Sequence, residues 1–170
     1  TSSVPGEGKT FTAVNLALSI ASERDRTVLL VDSDMLRASL SNFFNVHPGP
    51  GLVDFLVEDN IPLSEVLVST DIPSLTLLPA GNTHHLSTEL LSSMSMRVFT
   101  QELSRRYSDR IIIFDSPPLL HTTESRVLAH LMGQIVMVVE AEKTPRSHVN
   151  EAFSLLDDLN ENTYVGVVFN

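Results

Sequence analysis

The chain has 170 residues, no cysteine and a formal net charge of −10, with 42% hydrophobic and 19% charged residues. That is one domain of ordinary globular composition, long enough to bury a core, and it excludes a disordered or collagen-like chain, a disulfide framework and cysteine-ligated metal or thiolate chemistry. The acidic balance disfavours nucleic acid and anionic lipid, no apolar run approaches the ~20 residues of a membrane span, and the opening Thr-Ser-Ser-Val-Pro lacks the basic and hydrophobic regions of a signal peptide.

The first element in chain order is a loop, Ser3-Val4-Pro5-Gly6-Glu7-Gly8-Lys9-Thr10. It follows the phosphate-binding pattern, with Ser3 where the first glycine usually stands. Gly6 and Gly8 let the backbone curl so that successive N–H groups face one anion, and a helix starting at Lys9 points its positive end at the same place. Lys9 is one of only two lysines, the other being Lys143, while the remaining bases are arginines. It supplies a mobile charge for outer phosphates, and Thr10 offers a hydroxyl to magnesium. The helix is expected over 9–22, with Phe11, Val14, Leu18 and Ala21 on one stripe.

Next comes an apolar strand, 27–32, running into Asp32-Ser33-Asp34-Met35-Leu36-Arg37. Ligands of a parallel α/β sheet sit at the carboxyl ends of its strands, so both acids lie on the binding edge. Carboxylates beside a nucleotide's phosphates need a cation or a proton between them. One of the two is therefore a candidate magnesium partner and the other a candidate base. Residues 38–74 are less regular. They carry a turn cluster, His47-Pro48-Gly49-Pro50-Gly51, and short amphipathic pieces around Leu40, Phe43 and Phe44, around Leu52, Phe55 and Leu56, and around Leu63, Val66 and Leu67.

A strand is expected over 75–79 and a helix over 96–107, with Met96, Phe99, Leu103 and Tyr107 turned inward. The strand 110–115 ends in Asp115-Ser116-Pro117-Pro118, a second acid at a strand end followed by a stiff loop. Such an aspartate is the usual second magnesium-side carboxylate of nucleotide-binding α/β domains. Two more strands, 134–139 and 163–169, flank a helix over 145–159 that starts at Pro145 and places Val149, Phe153 and Leu156 on one face. Nearly continuous apolar strands alternating with helices predict a three-layer α/β domain with a mostly parallel sheet. The adjacent His84 and His85 point apart in strand or helix alike and suit a polar loop better than a metal pair.

These three motifs in this order resemble the bacterial tyrosine kinases, the P-loop autokinases of exopolysaccharide export. The likeness rests on Pro5-Gly-Glu-Gly-Lys-Thr10, Asp32-Ser-Asp-Met-Leu-Arg37 and Phe114-Asp-Ser-Pro-Pro118, with Leu78-Pro-Ala-Gly81 and Glu89-Leu-Leu91 in support. It covers nearly the whole chain. In His84-His85 and Glu140-Ala-Glu-Lys-Thr-Pro-Arg146 it is closest to the tyrosine autokinases encoded with exosortase-linked exopolysaccharide loci. The alternative is the MinD/ParA-like superfamily at large, septum-site and plasmid-partition ATPases, or a nucleotide-switched regulatory module without kinase activity. Those ATPases typically carry an extra lysine early in the loop, where this chain has Ser3-Val4-Pro5.

The resemblance implies a P-loop NTPase fold and ATP-dependent phosphorylation of protein tyrosine. ATP or ADP would be held by Pro5, Gly6, Glu7, Gly8, Lys9, Thr10 and Phe11, with Asn170 reading the adenine edge. Magnesium would be held by Thr10, Asp34 and Asp115. Lys9, Asp32 and Asp34 would be catalytic, with Asp32 the candidate for activating the tyrosine hydroxyl, although the two acids could trade roles. Arg37 could touch phosphate or a neighbouring subunit. The implied partners are a tyrosine-rich tail, its own or a neighbour's, and a transmembrane activator of the polysaccharide co-polymerase type. A homo-oligomer at the cytoplasmic face of the inner membrane is also implied, and no nucleic acid. The 170 residues are expected to be a single kinase domain lacking its first strand and its tyrosine-rich C-terminal tail. Tyr107 and Tyr164, the chain's two tyrosines, sit on an expected helix and an expected strand.

Overall fold

Alternating side-chain direction along one buried strand sets the layering. In β1 (Thr27–Asp32), Leu29 and Val31 face one side of a parallel sheet while Val28 and Leu30 face the other, and all four are 0–1% exposed. A strand covered on both faces has no polar side to show, which is why its sequence is continuously apolar. The computed structural model describes residues 1–58, 60–82, 87–159 and 161–170. On the first face lie α3 (Leu52–Val57), α4 (Leu63–Val66) and α6 (Met94–Arg106), packed through Leu52, Leu56, Val66, Met96, Phe99 and Leu103. On the second lie α1 (Lys9–Ala21) and α2 (Leu40–Phe43), packed through Val14, Ala17, Ala21 and Leu40. The three expected layers are therefore present.

The four-stranded sheet has the order β2-β3-β1-β4, with β2 at Val68–Ser69, β3 at Leu75–Leu78 and β4 at Arg110–Asp115. Pairings β1–β3 and β1–β4 are parallel; β2, which the sequence pattern did not reveal, is an antiparallel edge too short to show a period. β5 (Gln134–Val139) and β6 (Tyr164–Phe169) pair in parallel as a second, two-stranded sheet, and a helix the sequence reading missed, α7 (Thr123–Ala129), precedes them. Thr122 caps α7 by accepting from the Ser125 N–H at 3.3 Å. Helix α8 (Arg146–Ser154) starts after Pro145 but stops short of the expected 159. It covers β5 through Ala152, with Leu156 in the turn beyond. A further four-residue helix, α5 (Ser87–Leu90), leads into α6.

β4 and β5 are not paired with each other among the described residues. A cavity of about 420 Å³ lies between them, lined by Ile111 and Ile113 of β4, Ile135 and Val138 of β5, Leu16 of α1 and Leu128 of α7. The two sheets meet at the start of the chain. Ser2 forms a parallel bridge with Val138, and its carbonyl accepts from Leu119 N–H at 2.8 Å. The Pro79-Ala80-Gly81 turn after β3 docks on the start of α3, where Leu52 and Val53 N–H donate to the Pro79 and Ala80 carbonyls at 2.8 and 2.9 Å. Gly51 is required there, because a Cβ would lie 2.3 Å from Pro79 O.

Candidate active site

The phosphate loop forms because two residues accept a backbone that L side chains avoid: Gly6 and Gly8 have φ of 93° and 87°. Gly8 is the N-cap of α1, so the free N–H groups and positive end of that helix open into the loop. Its second constraint is space. A Cβ on Gly8 would lie 2.2 Å from Asn170 Nδ2, which donates to the Glu7 carbonyl at 3.2 Å.

The first turn of α1 stands over the carboxyl ends of β1 and β4. Lys9 Nζ lies 2.7 Å from Asp34 Oδ2, and Thr10 Oγ1 donates to Asp115 Oδ2 at 2.6 Å. This overhang explains one departure from the expected stripe: Phe11 extends past the sheet and is 57% exposed, while Val14, Ala17 and Ala21 carry the packing. Asp32 and Asp115 are register partners across β1 and β4. Ser33 locks the two strand ends by donating from N–H and Oγ to the Asp115 carbonyl at 2.9 and 2.8 Å.

Asp32, Asp34 and Asp115 are each no more than 1% exposed. Burial pushes the Asp32 carboxyl up to about 7, opposed by the Leu40 N–H that donates to Oδ2 at 3.0 Å and reinforced by the charges of Asp115 and Asp34. Burial also raises Asp115, against the pull of Lys9 and the Thr10 hydroxyl. The other Asp32 oxygen, Oδ1, is buried with no partner among the described residues.

These residues fit a magnesium–nucleotide site. Three carboxylates buried together at one sheet edge would be relieved by a divalent cation, and Thr10, Asp115 and Asp34 offer it oxygen ligands. No group of three or more His, Asp or Glu is arranged as a ready metal cage among the described residues. Magnesium needs none, since it is commonly held by one or two carboxylates plus substrate phosphates and water.

The structure thus brings Gly6, Glu7, Gly8, Lys9, Thr10, Asp32, Asp34, Asp115 and Asn170 to one edge. Pro5 is half-buried in the loop, and Arg37 is exposed just beyond Asp34. Lys143 pairs with Glu140 at 2.5 Å on the surface. His84 and His85 lie outside the described residues. Two site residues escaped the sequence reading. Ser39 Oγ is 3.1 Å from Thr10 Oγ1, and the Thr144 hydroxyl donates to Glu7 Oε1. Ser39 sits in none of the motifs, and Thr144 lies within the 140–146 stretch, whose sequence does not reveal its contact with Glu7.

A glycine-rich loop feeding a helix, opposed by buried strand-end carboxylates on a parallel sheet, defines a P-loop nucleotide-binding domain. The AAA domain family matches residues 4–163. The chain is 33% identical over its full length to a putative tyrosine-protein kinase EpsB of Ralstonia nicotianae, covering 22% of that protein. It is 30% identical to tyrosine-protein kinase YwqD of Bacillus subtilis, with 89% of the chain and 62% of that protein covered. The crystal structure of the VpsO kinase domain superposes with a TM-score of 0.89 at 31% identity, covering all of this chain and 81% of that one. The chain belongs to the bacterial tyrosine-kinase domains of the AAA family. It spans about a fifth of the length of the EpsB relatives. Among the described residues no helix is long and apolar enough to cross a membrane.

Proposed function

We propose that this domain transfers the terminal phosphate of ATP to tyrosine hydroxyls, on its own chain or a neighbouring subunit, and thereby regulates exopolysaccharide synthesis or export. The observation that carries the reading is Asp32: a buried carboxyl, paired in register with Asp115, with one oxygen lacking a hydrogen-bond partner among the described residues and burial raising it to about 7. A general base works best with a pKa near the operating pH.

The loop amides and Lys9 would hold the β- and γ-phosphates, which draws Lys9 away from Asp34. Thr10, Asp115 and Asp34 would hold magnesium, which when bound neutralises charge developing on the phosphates. The tyrosine oxygen forms a bond to the γ-phosphorus as the bond to the bridging oxygen breaks, ADP leaves, and Asp32 accepts the phenolic proton. Asn170, already beside the loop, would meet the adenine edge with an amide that both donates and accepts.

The relatives' kinase names support the reaction. The tyrosine-rich tail, a transmembrane activator, homo-oligomer assembly and a place at the inner membrane face are proposals on the same footing. So is the domain's extent: the slot between β4 and β5 suits one further apolar strand of the same chain running into the phosphate loop, and β6, exposed along its length, suits chain on its outer side.

The test is transfer of labelled γ-phosphate from ATP to a tyrosine-rich peptide by the full-length protein and its Lys9→Met variant. Label is expected on tyrosine with the natural protein, and its rate should fall at least about a hundredfold in the variant. No tyrosine label from the natural protein would overturn the kinase reading, and equal labelling by both would remove Lys9 from the chemistry.

A further inference from the structure

Glu7 poses a problem for its own loop. A carboxylate inside a loop that must receive a polyphosphate repels the ligand unless it is turned away and neutralised by donors. Glu7 is 2% exposed, and its side chain runs beneath the loop. Oε2 accepts from the Val4 N–H at 2.7 Å, and Oε1 accepts the Thr144 hydroxyl. The Val4 peptide is held at its other end too, since Ser2 Oγ donates to the Val4 carbonyl at 2.8 Å.

Thr144 belongs to the turn between β5 and α8. Its own N–H donates to the Glu140 carbonyl at 3.0 Å, and Pro145, the N-cap of α8, follows immediately. The Glu7 backbone is tied to the same part of the molecule: its carbonyl accepts from Asn170, whose own carbonyl accepts from Ala141 N–H at 2.9 Å. Glu7 is therefore fastened by side chain and main chain to the β5–α8–β6 unit. Its neighbours Lys9 and Thr10 reach the opposite way, to Asp34 and Ser39 beyond the end of β1 and to Asp115 at the end of β4. The two glycines that shape the cradle lie on either side of Glu7, at the point where these attachments diverge.

We propose that Glu7 and Thr144 form a positioning clamp that fixes the phosphate loop against the turn after β5, so that its amides are aimed at the nucleotide before it arrives. The inference rests on the proposed nucleotide site and adds Thr144, which touches neither phosphate nor metal, to the residues that set affinity. A loop already in its bound shape loses less freedom on binding, so loss of the clamp weakens ground-state and transition-state binding alike.

The experiment uses the full-length protein and three variants, Thr144→Val, Thr144→Ser and Glu7→Gln, with the Glu7→Gln/Thr144→Val double variant. ADP and ATP affinities are read by calorimetry with magnesium, steady-state kinetics give KM against kcat, and urea unfolding gives stability. Thr144→Val should bind both nucleotides about tenfold more weakly, with KM raised in step and kcat within about twofold of the natural protein. Thr144→Ser, which keeps the hydroxyl, should restore affinity, and the double variant should be no weaker than Glu7→Gln alone. Natural affinity in Thr144→Val would overturn the clamp. So would additive losses, or a loss that Thr144→Ser leaves unrepaired and that tracks the urea midpoint. Absence of ADP and ATP binding by the natural protein would overturn the nucleotide site itself, and the clamp with it.

Discussion

Replacing Asp32 by Asn should make the nucleotide-free protein more stable, by an amount that depends on pH. The Asp32 carboxyl is raised from its ordinary 3.8 to about 7 on folding, chiefly by burial. Below pH 3.8 the carboxyl is neutral in both folded and unfolded chains and has no pH-dependent effect. Between the two values the folded chain binds more protons, so stability falls as pH rises, and above 7 the full penalty is present. At about 1.4 kcal/mol per pH unit the interval corresponds to about 4 kcal/mol, of which less than half is felt at pH 5. Asn keeps an oxygen for the Leu40 N–H and offers an amide where Oδ1 now has no partner. Urea unfolding in EDTA should therefore show Asp32→Asn gaining about 2–4 kcal/mol at pH 8 and less than half of that at pH 5. The same variant should lose tyrosine transfer, as expected where an active-site group is held at a cost to the fold. An equal gain at both pH values, or a loss at pH 8, would refute the reasoning.

Two other substitutions separate loop geometry from core packing. Gly8→Ala places a Cβ at φ 87° and 2.2 Å from Asn170 Nδ2. It should weaken ADP binding at least about tenfold in calorimetry while lowering stability by only about 1–2 kcal/mol, the cost of a left-handed residue. Leu30→Ala, at a fully buried position on β1 between Leu77 and Ile113, should cost about 2–5 kcal/mol in urea unfolding. The protein that remains folded should keep its nucleotide affinity.

Much of the architecture was legible because burial on both faces makes parallel strands continuously apolar, and a strand that stops at an acid marks the binding edge. Asp32 and Asp115 stood out for that reason, and the structure sets them opposite each other. The phosphate loop was legible because its glycines are demanded by the backbone itself. Phe11 misled because helical periodicity carries no information about where the sheet beneath the helix ends. α7 escaped because its first turn is polar and only a short apolar stretch follows. Ser39 and Thr144 escaped for a deeper reason. A hydroxyl whose partner is distant in sequence, as Thr144 is from Glu7, leaves no periodic trace. The break between β4 and β5 was invisible too, because strand order is a property of pairing and not of any one strand.

The bridge from Ser2 to Val138 also bears on the order in which the molecule is built. β5, α8 and β6 are consecutive, and their parallel pairing closes a short crossover. β1, β3 and β4 likewise come from the first two-thirds of the chain. The bridge closes a loop of about four-fifths of the chain, and its entropy is recovered only once both units exist. The cradle, whose Glu7 is tied to one unit and whose Lys9 and Thr10 reach the other, is complete only when both are in place. A nucleotide has no purchase on half-made chains, so its binding energy draws the folding equilibrium toward finished molecules alone.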